Sequence, residues 1–199
     1  MNARQIMESD DFKRCEAFHG HVCGGLAIGY VAATAGLAWL KGKRALDEEL
    51  VAVVETDACC ADAVQVLTGC TFGKGNFIYK DYGKMAFTFF NRRTGQGVRL
   101  AMKPESVRPN ERQIALFAKS RDGSITEAEA AELKALGMQR TVDVLNMPAE
   151  DLFSLTPVTA DIPEKARIDA SKPCARCGEP TMASKLEAVD GMLICRGCM

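Results

Sequence analysis

Four cysteines in two pairs, Cys174-Ala175-Arg176-Cys177 and Cys195-Arg196-Gly197-Cys198, stand 17 residues apart near the end of the chain. Four thiolates at tetrahedral distance satisfy Zn²⁺ and leave no position for a substrate, so the chemistry on offer is structural. The 26 residues from 174 to 199 carry too small a core to fold alone, and metal binding must supply much of their folding energy. Burial as a small hydrophobe explains one cysteine, not four so paired. A dithiol redox pair would need a single C-x-x-C on an αβ scaffold. Between the pairs, 185–189 and 192–194 flank Asp190-Gly191, a hairpin signal.

A second group lies far upstream. Both histidines of the protein fall in His19-Gly20-His21-Val22-Cys23. In a looped or extended segment, residues two apart face the same way, so His21 and Cys23 could reach one ion. Imidazole with thiolate suits Zn²⁺ or another borderline transition metal. The competing reading is a hydrogen-bonded helix end beside a core cysteine. Asp57-Ala58-Cys59-Cys60-Ala61-Asp62 adds candidates, since Asp62 is an acid in an otherwise apolar helical run and is costly there unless paired or ligating. Asp57 serves equally well as a helix cap. Gly69-Cys70-Thr71-Phe72-Gly73-Lys74-Gly75-Asn76 brings a further thiol and a cation. Its spacing is one short of a P-loop and Gly75 follows Lys74 where Ser or Thr is required, which excludes that motif.

These residues need elements to hold them. The chain is 47% hydrophobic and 26% charged, the composition of a globular protein. Lys and Arg total 25 against 26 Asp and Glu, so there is no global basic field, which argues against nucleic acid as a partner. Acidic residues stand where a signal peptide needs an apolar run, and a cytoplasmic location is expected. In a reducing compartment nine cysteines serve better as metal ligands than as disulfides. Residues 22–40 are uncharged but dominated by Ala and Gly, and predict a buried central helix in preference to a membrane span.

A short helix is predicted over 10–18, a long one over 26–40 closed by Lys41-Gly42-Lys43, and a buried strand over 50–55. A helix over 60–67, with its cap near Asp57, precedes strands at 76–80, 85–91 and 97–102, expected to form a twisted antiparallel sheet. Helices are predicted over 111–119, 126–136 and 139–146, Thr126 and Glu129 forming a capping box. Prolines recur from 148 to 173, giving one short strand near 152–158 and a linker over about 155–173. The expected fold is α+β, a central antiparallel sheet packed with helices, with domains 1–165 and 166–199.

The sequence resembles the FmdE family, named after a subunit of the molybdenum formylmethanofuran dehydrogenase operon. The resemblance runs through His19-Gly20-His21-x-Cys23-x-Gly25, then Glu55-x-Asp57-x-Cys59-x-x-Asp62-Ala63-x-Gln65-x-x-Thr68-Gly69-Cys70-Thr71-x-Gly73-Lys74-Gly75-Asn76, Tyr82-Gly83-Lys84 and the terminal cysteines. Cys23-Gly24-Gly25 replaces the usual Cys-Pro-Gly, and Cys60 stands where a small residue is usual, so Cys59 is the ligand candidate carried over and Cys60 an extra thiol. The resemblance implies an α+β core with a metal-associated His/Cys cleft, a zinc finger and a homodimer. It implies an accessory or metal-handling role in an anaerobic molybdenum/tungsten or one-carbon oxidoreductase system, with an oxidoreductase complex as partner.

On that reading His21, Cys23 and Cys59 hold a second ion, again expected to be Zn²⁺, while His19, Asp62 and Cys70 complete or orient it. Lys74, Asn76 and Lys84 are placed for a small anionic ligand. An alternative is an enzyme using an open position on that ion, with Asp62 or Asp57 as base. Another is a module whose finger, similar to DksA/TraR-type fingers and of zinc-ribbon or treble-clef type, contacts protein or nucleic acid. In a treble clef a final helix would be needed beyond Cys198, and here one residue follows it.

Overall fold

The computed structural model describes residues 1–159 and 162–199; two linker positions, 160 and 161, lie outside the described residues. Along the chain run α1 (Ala3–Glu8), α2 (Asp10–His19), α3 (Gly24–Trp39), β1 (Leu50–Val54), α4 (Cys60–Thr68), β2 (Phe77–Tyr79), β3 (Ala86–Asn91) and β4 (Gly97–Met102). Then come α5 (Glu111–Asp122), α6 (Glu127–Asn146), α7 (Ala149–Leu152) and β5 (Phe153–Val158). The strands β6 (Ser171–Pro173), β7 (Pro180–Met182), β8 (Leu186–Val189) and β9 (Met192–Cys195) complete the chain. The chain divides into two compact units, Met1–Glu164 and Lys165–Met199.

The first unit is α+β, with a five-stranded sheet in the order β2-β1-β3-β4-β5. Its pairings are antiparallel except for one: β2 runs parallel to β1. The sheet is therefore mixed, not antiparallel throughout, because α4 carries the chain back across the sheet between β1 and β2. Alternation along the strands sorts the side chains. Ala52, Val54, Phe87, Phe89, Val98 and Leu100 join the main core, whereas Val51, Val53 and Phe90 form a second cluster under Ile78, Val158 and Ile162.

The Ala/Gly-rich α3 is central, buried from Leu26 through Ala33 and again at Gly36. Its glycines permit two close approaches. A Cβ at Gly29 would lie 2.2 Å from the Cys60 carbonyl oxygen, and one at Gly36 would lie 2.3 Å from the Phe89 ring. Small residues thus let α3 sit against α4 on one side and β3 on the other. No helix among the described residues is long and apolar enough to cross a membrane.

Several elements differ from the sequence expectation. The N-terminal α1, capped by Asn2 with Gln5 in a capping box, is an additional element. Residues 126–136 and 139–146 form one helix, because Gly137 meets open space and its penalty of about 1 kcal/mol is too small to break twenty residues of α6. The helix starting at 111 runs on to Asp122 and is closed by Gly123 at φ 78. Asp57 is not the cap of α4: Cys59 occupies that position, without a side-chain bond, and Asp57 is exposed.

The second unit consists of two hairpins, β6–β7 and β8–β9. Asp190 (φ 49) and Gly191 (φ 78) make the two-residue turn between β8 and β9, both in the left-handed region that this turn requires. Cys174 and Ile194 are the buried hydrophobic residues of this unit among those described. The two hairpins give a small zinc-ribbon-like module.

Candidate metal centres

In the terminal unit, β9 and two short turns bring Cys174, Cys177, Cys195 and Cys198 together, their sulfurs all within 4.8 Å of one another. Cys177 Sγ stands 3.9 Å from Cys195 Sγ. Backbone N–H groups of Cys177, Cys195 and Arg176 converge on the Cys174 sulfur and hold its pKa down to about 6. The Cys195 and Cys177 thiols push Cys198 up to about 12. Those two effects describe a site that prefers thiolate at one position and cannot gather four thiolates without a cation between them. A four-cysteine set of this geometry suits structural Zn²⁺.

The core cluster is assembled differently. α2 ends at His19, Gly20 turns the chain at φ 93, and Cys23 begins α3 by accepting the Leu26 N–H on its sulfur at 3.4 Å. His19, His21 and Cys23 have ligand atoms within 4.8 Å of one another. The two imidazoles lie with ring centroids 4.4 Å apart. From the first turn of α4, Asp62 Oδ2 meets His19 Nδ1 at 2.7 Å, and His19 Nε2 then faces Cys23 Sγ at 3.8 Å. A carboxylate on Nδ1 takes that N–H, leaving Nε2 with its lone pair toward the sulfur. Asp62, the expensive acid of an apolar helix, is thereby accounted for as the group that orients His19.

Cys59 lies on the other side of Gly25. A Cβ at Gly25 would fall 2.9 Å from Cys59 Cβ and 3.8 Å from Cys23 Sγ, so a larger residue there would come between the two thiols. Burial raises the Cys59 pKa first, and the Cys23 thiol and Asp62 carboxylate raise it further. Cys60 turns into the core instead, its sulfur 3.3 Å from Met85 Sδ and its pKa pushed by burial to about 12.

Three other sequence candidates are engaged elsewhere, and a fourth is exposed. Cys70 is not brought to the cluster: it is fully buried, its backbone N–H donates to Thr68 Oγ1, and burial raises its pKa to about 11. Asn76 is also fully buried, donating through Nδ2 to the carbonyls of Asp47 and Leu50 and accepting the Thr71 N–H. Lys74 donates from Nζ to the same Asp47 carbonyl at 3.1 Å. Lys84 is exposed, with its backbone N–H on the Glu55 carbonyl. Sequence reasoning passes over Arg140, whose side chain packs 3.7 Å from a Cβ position at Gly24, beside Cys23. No local signal marks it, since it sits on a half-buried helix face more than a hundred residues away.

With this geometry in view, residues 18–154 match the FmdE family, described as the molybdenum formylmethanofuran dehydrogenase operon family. The chain belongs to the FmdE family. It is 34% identical over 194 residues to a protein of Archaeoglobus fulgidus named "Probable S-adenosyl-L-methionine-binding protein", an alignment covering 92% of this chain. The chain spans about half, 52%, of that relative's length. Among solved structures, the tungsten formylmethanofuran dehydrogenase FmdE-like protein of Syntrophus aciditrophicus shares the fold, with a TM-score of 0.64 at 24% identity over 98% of this chain and 90% of that one. The protein is thus FmdE-like, with metal-binding potential at two side-chain clusters.

Proposed function

We propose that the His/Cys cluster of the core is a resident metal centre, expected to take Zn²⁺, and that the chain acts through it as a metal-handling accessory of an oxidoreductase. The observation carrying this reading is the line Asp62–His19–Cys23, in which a carboxylate fixes one imidazole nitrogen and aims the other at a sulfur. His19 is on this account a direct ligand with Cys23, His21 and Cys59 supply the further donors, and Asp62 positions the first of them. The donor set is chemically apt, combining borderline nitrogen with soft sulfur. Exposed Ile114, Phe117 and Met138 on α5 and α6 support a second copy or a partner protein as part of the reading.

The test is elemental analysis of anaerobically purified protein, with cobalt substitution to read thiolate ligation by its charge-transfer absorption. Two metal equivalents per chain are expected, and His19→Ala is expected to lose one of them. A single equivalent, unaffected by His19→Ala, would refute the reading.

A second reading is favoured by the exposure of His21: one donor faces solvent, so the ion would be reachable by a small molecule. The bound ion would then supply Lewis-acid character, while Arg140 holds an anionic group of the substrate beside Gly24. X-ray absorption separates the two readings, since an oxygen donor on the core ion supports an enzyme and nitrogen with sulfur alone supports a carrier. S-adenosylmethionine, named for the Archaeoglobus relative, is the first compound to add in that experiment.

A further inference from the structure

The loop between α3 and β1 lines a cavity of about 690 Å³ that neither metal cluster uses. Lys41, Lys43 and Arg44 enter it from the loop, Arg93 from the turn between β3 and β4, and Leu50 supplies apolar wall. Glu49 is the acid among the lining residues, and its carboxylate is occupied by the Asp47 N–H of the same loop at 2.9 Å. A chain of net charge -1 therefore places four cations around one concavity.

The ordinary explanation for basic residues here is the negative end of α3, which attracts cations. It covers Lys41 and Lys43 and leaves Arg93 unexplained, since that residue arrives from a different element. The φ of 48 at Lys41 belongs to the same helix end: its N–H donates to the Ala38 carbonyl and the Gly42 N–H to that of Leu37, the left-handed closure of α3. No salt bridge joins Lys41, Lys43 or Arg93 to an acid among the described residues.

The loop is rigidly held from behind. Ala45 N–H donates to the Thr68 carbonyl at 2.8 Å, Arg44 Nε to the Val66 carbonyl at 2.9 Å, and Arg92 N–H to the Glu49 carbonyl at 2.9 Å. Lys74 Nζ and Asn76 Nδ2 both reach the Asp47 carbonyl, and Asn76 also reaches that of Leu50. Gly69 completes the support, because a Cβ there would lie 2.4 Å from the Ala45 carbonyl oxygen. The segment Thr68–Asn76 is thus spent on fixing an irregular loop whose outer surface is cationic. Such pre-organisation lowers the ordering cost of binding.

We infer that this cavity is an anion-binding site for a small phosphate-bearing molecule, with Lys41, Lys43 and Arg93 as its charge-neutralising contacts. Its volume is in the range that holds a small ligand, and guanidinium with ammonium groups around a concavity matches phosphate oxygens. A concavity of this size favours a compact ligand over an extended polymer.

Isothermal titration calorimetry on the full metal-loaded chain, using inorganic pyrophosphate and ADP as probes, tests this. Saturable binding of at least one probe is expected, weakening as salt is raised. Arg93→Gln and Lys43→Gln should each reduce affinity about tenfold, as expected for loss of one charge-assisted contact, while metal content and melting temperature stay unchanged. Lys74→Met should weaken binding less, by loosening the loop. Binding of neither probe, or equal binding by wild type and both Gln variants, would overturn the inference. Preferential binding of a single-stranded RNA oligonucleotide over both probes would overturn it also. Because Arg93→Gln and Lys43→Gln touch neither metal cluster, their comparison with wild type fails or succeeds independently of the metal-centre proposal.

Discussion

The terminal four-cysteine cluster and the core His/Cys cluster use similar donors but reverse the order of cause. In the terminal unit little else is buried beyond Cys174 and Ile194, so the ion organises the fold. In the core, α3 and α4 are already fixed by packing at Gly29 and Cys60, and the fold itself gathers the His/Cys donors. The terminal site has four thiolates and no oriented imidazole. The core site has an imidazole held by Asp62 and one histidine open to solvent. One cluster is built as a staple; the other, on the function proposed above, is a place where an ion meets a small molecule.

The largest effect expected from that contrast follows from breaking the staple. Cys174→Ser should unfold the terminal unit, abolishing most of the roughly 10–16 kcal/mol of apparent zinc-binding energy typical of such modules. Limited proteolysis should then cut within 165–199 while 1–164 persists with an unchanged melting transition. Co-unfolding of both units would erase the distinction.

Next in size is the packing that holds the core site. Gly29→Ala drives a methyl into the Cys60 carbonyl and should destabilise the core by about 3 kcal/mol, because backbone cannot yield as a side chain can. Metal analysis of the folded fraction should show loss at the core site and retention at the terminal one.

A pH experiment separates the units further. Glu55 is buried against Arg99, with contacts of 2.7 and 2.8 Å, and that guanidinium holds its carboxyl below the usual carboxylate range. The folded value lies below the unfolded one, so the contribution is complete above the unfolded pKa of about 4.3 and disappears as pH falls through the folded pKa. Glu55→Gln should cost about 2 kcal/mol at neutral pH, the full buried-pair penalty being reduced because Arg99 is one-third exposed. The variant's stability should then be flatter than wild type below about pH 5. Denaturant melts across pH check both. Smaller still, Asp62→Asn should lower core metal affinity about 10- to 100-fold with little change in melting, read by competition with a chromophoric chelator.

Much of this contrast is legible in the residues themselves. Two C-x-x-C pairs with a hairpin signal between them specify the staple locally, and both histidines beside Cys23 mark the core site. The roles inside that site are not legible. His19 and Asp62 are 43 residues apart, and their pairing depends on how α4 lies against the end of α2. Lys74 and Asn76 follow the candidates of α4 closely in sequence, yet beyond the left-handed turn at Gly69 they reach the α3–β1 loop, while Cys70 is buried in the main core. The parallel pairing of β2 is hidden because strand pattern reveals a strand's burial and not its direction. The continuity of α6 through Gly137 and the presence of α1 escape for a simpler reason. Neighbouring helix formers outweigh one glycine, and a capping box at Asn2 stabilises a helix too short to show periodicity.

The most direct measurement is metal stoichiometry after anaerobic purification of Cys23→Ala and Cys177→Ala side by side. Each substitution should remove one equivalent, with the terminal unit disordered in Cys177→Ala alone and the core folded in both. Undiminished metal content in Cys23→Ala would show that the gathered imidazoles and thiols of the core hold no ion.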